Sequence, residues 1–207
     1  LEELWPLHRS ITGEGINKSL DILAKHIPIK KIKFPSGKKV YDWTIPKEWV
    51  VNKAYVITPD GKKILDIKKN NLHLINYSDR FIGEVSKEDL LEHLYSYPNY
   101  PNAIPYITSY YEKRWGFCIS ENQKKKLKKG IYKVVIDTNF ISGSLVLGEA
   151  IIEGKKKKEI LISTHLCHPS MANDQLSGPI TSILLYKKLI SSKLYRDFTF
   201  RFLFLPE

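Results

Sequence analysis

The C-terminal third of the chain constrains the fold most. It reads EILIST (159–164), an apolar run of the kind buried in a mixed or parallel sheet. The loop HLCHPSMANDQLSG (165–178) comes next. A helix succeeds it, with Ile180, Ile183, Leu184, Leu185 and Leu189 as its apolar positions. The last run is DFTFRFLFLPE, whose core, Phe198 to Leu205, reads as a buried strand. Strand, loop, helix, strand is a βαβ unit with a parallel pair. A parallel sheet needs helices on both faces and usually more strands. Too little sequence follows Leu205 to supply them, so the chain reads as the N-terminal portion of a larger α/β fold.

Upstream, the texture changes twice. Residues 4 to 27 read as two short helices, broken at Gly13 and Gly15 and stopped by Pro28. Ile16, Leu20, Leu23 and Ile27 fall on one helical face. From Ile29 to about Tyr132, short β-branched runs alternate with turn residues. Pro59-Asp60-Gly61 between two alternating runs signals a hairpin. Two short helices are expected, one from Ser86 to Ser96 with Ser86 as N-cap. The other, Ser120 to Lys129, opens with a Ser120/Gln123 capping box and ends at Gly130. Between them lies the Tyr- and Pro-rich segment YSYPNYPNAIPYITSYYEKRWGF. From about Ile131, KVVIDT and SLVLGEAIIEG read as strands. The expected organisation is an α/β core over residues 1–34 and 131–207, with a smaller α+β domain, 35–130, inserted.

Ligands of a parallel α/β sheet bind beyond the carboxyl ends of its strands. Two such ends are visible. His165 follows EILIST directly, and Glu207 follows FRFLFLP. Asp174 lies in the connecting loop just ahead of the helix, where a helix N-terminus favours a carboxylate. One imidazole and two carboxylates at one sheet edge make a suitable zinc donor set, and a bridging carboxylate would admit a second ion. Each residue alone has a plainer reading: a hydrogen-bonded structural histidine, an ordinary helix N-cap, a strand-end carboxylate. Cys167 could be a buried apolar residue, a group that orients a ligand, or a soft ligand itself. His168, before Pro169, orients the turn.

STHLCHPSMANDQLSG, with a helix and a strand ending in Glu after it, resembles the co-catalytic di-zinc aminopeptidases and carboxypeptidases of the leucyl-aminopeptidase type. More closely, LWPLHRSITGEG, YYEKRWGFC and THLCHPSMAND together resemble the bacterial aminopeptidase-like proteins that carry an inserted domain and often occur near surface-polysaccharide genes. The resemblance spans most of the chain. It implies a phosphorylase/hydrolase-like mixed sheet with helices on both faces, C-terminally incomplete, and up to two zinc ions in the complete site. It also implies that His165 binds one zinc, that Asp174 bridges two, and that Glu207 is the general base. In that family an Asp two residues after the first His orients the imidazole. Here the position is Cys167. The implied activity is zinc-dependent hydrolysis of a peptide or small amide. The alternative is an inactive or specialised scaffold in surface-polysaccharide biosynthesis. The aromatic segment Tyr106 to Phe117 either walls a substrate cleft or packs its own domain.

Composition narrows the partners. The 207 residues are 43% apolar and 27% charged, an ordinary globular balance that excludes a disordered chain. The net charge is +11, but much of the excess sits in two lysine runs, QKKKLKKG (123–130) and GKKKKE (154–159). These contain no aromatic residue, and the chain has only five arginines, whereas a nucleic-acid face wants both interleaved. Solvated tips are the plainer reading, and no nucleic-acid partner is expected. No apolar stretch approaches the roughly 18 to 20 residues of a membrane helix. LEELWPLHRS lacks the basic start and apolar run of a signal peptide. Two cysteines, Cys118 and Cys167, are too few for a disulfide scaffold, so a cytoplasmic setting is expected.

Overall fold

The computed structural model describes residues 1–192 and 197–207. In chain order its principal elements are α1 (Glu14–Ala24), β1 (Lys30–Pro35), β2 (Glu48–Ile57), β3 (Lys63–Ile64), β4 (Phe81–Ser86), α2 (Lys87–Glu92), α3 (Glu121–Lys125), β5 (Ile131–Ile141), β6 (Ser144–Ile152), β7 (Lys156–His165), α4 (Ser177–Ser192) and β8 (Phe198–Leu205). They form two compact units. One comprises Leu1–Glu48 with Ile141–Glu207, the other Trp49–Phe140.

The first unit is built on a mixed four-stranded sheet in the order β1-β6-β8-β7. β1 and β8 each flank β6 antiparallel, while β7 and β8 run parallel, in register up to His165 beside Leu205. Helix α4 makes the crossover, so the βαβ grammar of the sequence is realised. Tyr186 of α4 packs its ring on Phe202, with centroids 5.4 Å apart. Leu20 of α1 reaches the backbone of Gly148, which pairs with Phe204. Side chains two apart in a strand share a face. Both helices therefore cover the face of Phe202 and Phe204, each fully buried and each worth roughly 2 to 3 kcal/mol of burial. On the opposite face Arg201 pairs with Glu149 and Glu159.

The structure corrects three expectations. Residues 2–6 form turns, so α1 is the one helix of the N-terminal segment. Among the described residues β7 has a strand on one side only, and there Ile160 and Leu161 are exposed where EILIST suggested burial. In α4 the buried positions are Pro179, Ser182, Ile183 and Tyr186, a stripe at helical spacing. Leu184 and Leu185 lie off that stripe and are exposed.

The second unit holds a sheet in the order β3-β2-β5-β4. Pro59-Asp60-Gly61 joins β2 to β3, with Val56 opposite Ile64. β5, read from sequence as the first strand of the α/β core, pairs with β4 instead, from Phe81–Ile136 to Ser86–Ile131. Its alternating pattern is that of any half-buried strand, so pairing alone assigns it. Ser86 and Ser120 cap α2 and α3, each accepting from the amide three residues on. Both helices are shorter than expected. α2 ends at Glu92, and α3 ends at Lys125, well before Gly130. The aromatic segment packs: Tyr110 meets Tyr77 edge-on, and Trp115 stacks between Phe81 and His93.

Gly15 explains part of the LWPLHRSITGEG motif. A Cβ there would lie 2.1 Å from the carbonyl oxygen of His8, so the first turn of α1 sits directly on the His8-Arg9 backbone. Gly→Ala inside a helix ordinarily stabilises by about 1 kcal/mol. At Gly15 the sign reverses: Gly15→Ala should destabilise by about 2 kcal/mol, read as a lowered urea midpoint. A raised midpoint would show that the close approach is absent.

Candidate functional site

The parallel exits of β7 and β8 define the site. Neighbouring strands lie about 4.8 Å apart, so the chain leaves His165 and Leu205 side by side. The amide of Leu166 donates to the carbonyl of Leu205, carrying the pairing one step past the strand. The loop then turns through His168 and Pro169 to Ser170, which takes a left-handed backbone, φ 44°. Residues Ala172–Leu176 form a single wide turn before α4. Asp174 breaks its helical geometry with φ −110° and ψ 80°.

This path brings the expected residues to one place. His165 Nε2 lies 2.9 Å from Asp174 Oδ1, and both side chains are accessible. Glu207 Oε2 lies 2.8 Å from Nε2 of His168, whose side chain is almost wholly buried. The two imidazoles meet edge to face, with centroids 5.1 Å apart. Donor atoms of His165, His168 and Asp174 lie within 4.8 Å of one another, as do those of Cys167, His168 and Glu207. His168 thus links the His165–Asp174 pair to Glu207, a role that its place before Pro169 did not suggest.

The donor set suits zinc. Bonds of 2.0 to 2.2 Å in a tetrahedron separate neighbouring donors by roughly 3.3 Å, close to the spacing between His165 and Asp174. Burial lowers the pKa of His168, against the pull of Asp174 and Glu207. Cys167 lies on the Glu207 side of the cluster. Its buried thiol accepts from the Glu207 amide at 3.3 Å and from Gln175 Nε2 at 3.6 Å. Burial raises the thiol's pKa, so it stays protonated. Cys167 therefore anchors the backbone of Glu207.

Arg9 holds the loop from beneath. Its guanidinium is fully buried, donates through Nε to the carbonyl of His168 at 3.0 Å, and donates through a terminal nitrogen to the carbonyl of Leu4. Burial brings its pKa down to about 10, which still leaves it charged at neutral pH. Gln175 adds a second tie, its Oε1 accepting from the His168 amide. The N-terminal segment thus fixes a loop 159 residues away. No local pattern in the sequence signals that pairing.

The sequence matches the family described as a domain of unknown function, DUF4910, over residues 1–207. The chain belongs to this family. It is 45% identical over its whole length to a protein from Clostridium acetobutylicum named for polysaccharide biosynthesis and an aminopeptidase-like domain. It is similar, at a TM-score of 0.95 and 45% identity, to the crystal structure of a candidate peptidase from the same organism. All of the chain is matched in each case, against 47% of the first protein and 48% of the second, so the chain spans about half the length of these relatives. A zinc aminopeptidase from Bacillus subtilis matches with a TM-score of 0.61 at 13% identity, over 98% of this chain and 60% of that one. The fold is that of the zinc aminopeptidases, a mixed α/β sheet. Among the described residues no helix is long and apolar enough to cross a membrane.

Replacing Arg9 by Met leaves the carbonyls of Leu4 and His168 without that donor and should cost about 3 kcal/mol, read from urea unfolding. A loss below about 0.5 kcal/mol would show that the clamp carries no weight. Acid should also weaken the protein. Burial, aided by Arg9, presses His8 down to about 4, and burial lowers His168. Both groups take up protons more readily when unfolded, so stability is full above about pH 6.5 and falls as pH drops below it. The melting temperature should decrease from pH 7 to pH 5; a flat profile would contradict this assignment.

Proposed function

We propose that the protein is a zinc-dependent aminopeptidase-like hydrolase that cleaves an amide or peptide bond, with the unit Trp49–Phe140 inserted in the hydrolase domain. One observation carries this reading: His165, His168, Asp174 and Glu207 converge at the ends of a parallel strand pair. His165 and Asp174 would hold the metal, Asp174 as the bridge if two ions bind. Zinc would supply a water of lowered pKa and polarise the scissile carbonyl. Glu207 would take the attacking water's proton on its carboxylate and pass it to the leaving amine. His168 would set the direction of that carboxylate through its Nε2 contact. The substrate class is a peptide or small amide, and the two free buried cysteines accord with a cytoplasmic setting.

A second reading has its own support. Cys167 stands where the related hydrolases carry an imidazole-orienting Asp, and its bonds go to Glu207 and Gln175. On that reading the chain is a specialised scaffold in surface-polysaccharide biosynthesis, the role for which its Clostridium relative is named.

The full-length protein separates the two. The hydrolase should take up about two zinc ions per chain and cleave amino-acid anilides. Glu207→Gln should lower kcat by about 10²- to 10⁴-fold with metal content unchanged by elemental analysis. Unchanged kinetics in Glu207→Gln would remove Glu207 as base, and no zinc uptake by the intact protein would favour the scaffold.

A further inference from the structure

The second unit contains a cavity of about 590 Å³ that takes no part in the strand-end site. Its walls come from three places: the β2–β3 turn, the segment leading to His73, and the lysine run after α3. The walls are braced. Tyr132 donates its hydroxyl to the carbonyl of Lys128 at 2.7 Å. Gly130, at φ 143°, lies so close to Pro59 that a Cβ would come within 2.7 Å of that ring. Thr58 Oγ1 accepts from the Lys62 amide at 2.9 Å and fixes the turn. The lysine run that reads from sequence as a solvated tip is therefore one wall of a preformed pocket.

The lining has an uneven charge. Two of its lysines are engaged: Lys63 with Asp66 at 2.7 Å, and Lys128 with Asp60 at 4.0 Å. Lys62, Lys69, Lys126 and Lys129 also line it, and none has an acidic partner among the described residues. Four cations around a concave surface, with two carboxylates already paired, favour a ligand of at least two negative charges. His73 adds selectivity. Its Nδ1 donates to the carbonyl of Cys118 at 2.9 Å, which leaves Nε2 as an acceptor in the neutral ring. Burial lowers its pKa and maintains that form. Leu65, Ile119 and Leu127 contribute apolar surface. A volume of this size is that of a small-molecule pocket.

We propose that this cavity binds a phosphorylated sugar. The phosphate would sit among the four lysines, a sugar hydroxyl would donate to His73 Nε2, and the apolar wall would face the carbon skeleton. This site is independent of the hydrolase reading and stands whether or not that reading holds.

The test is calorimetric titration of the full chain with glucose 1-phosphate, against inorganic phosphate and glucose as separate arms. Saturable binding at one site, at least about tenfold tighter than either separate arm, is expected. The double variant Lys69→Glu, Lys126→Glu should weaken it at least about tenfold, since both positions are exposed and their replacement spares the core. Lys157→Glu, Lys158→Glu makes the same change in net charge in the other unit and should leave binding intact. Equal losses in the two double variants would reduce the effect to overall charge and overturn the proposal. So would equal affinity for inorganic phosphate and glucose 1-phosphate, tighter binding of a single-stranded oligonucleotide lost in the same variant, or no saturable binding.

Discussion

A buried guanidinium organises the first unit. Arg9 has no access to solvent, and its bonds run to main-chain carbonyls of Leu4 and His168. A cation in that position is costly unless its donors are satisfied. The backbone around it must therefore stay where the donors reach. The segment before α1 must lie beneath the loop after β7, and Gly15 must be small enough for α1 to begin there. The loop bearing His168 can then turn sharply at Ser170 and still present its imidazole to Glu207. The site geometry is thus a consequence of packing set from the opposite end of the chain.

The βαβ segment is legible in the sequence because its signals are local. Apolar runs, a helix of the right length and a second apolar run leave few alternatives to a parallel pair. The serine caps of α2 and α3 and the turn at Pro59-Asp60-Gly61 are legible for the same reason: each rests on the chemistry of neighbouring residues. What the sequence conceals is position within a sheet. EILIST suits a strand flanked on both sides, and in this chain, about half the length of its relatives, β7 has a neighbour on one side only, while β5 pairs with β4 rather than with the α/β core. A strand's alternation reports that it has one buried face, not which neighbour covers it.

The site divides along the same line. His165, Asp174 and Glu207 can be named from sequence because strand ends and a helix start fix their place in the fold. His168 cannot, because its role depends on a turn whose direction Arg9 and Gln175 impose. Sequence leaves Cys167 open between three roles, and the structure buries it. It is a buried acceptor for the amide of the Glu207 that follows β8. Its sulfur hydrogen-bonds to Glu207 and Gln175. A neutral sulfur cannot replace a carboxylate electrostatically, but it can hold the backbone of the neighbouring strand end.

The convergence of His165 and Asp174 on one cation is most directly tested by anomalous diffraction from crystals of the intact protein grown with zinc, measured on both sides of the zinc absorption edge. The account requires a peak within bonding distance of His165 Nε2 and a carboxylate oxygen of Asp174, about 2.0 to 2.2 Å from each. A map with no zinc at that position, or with zinc bound only at surface histidines elsewhere, would contradict it.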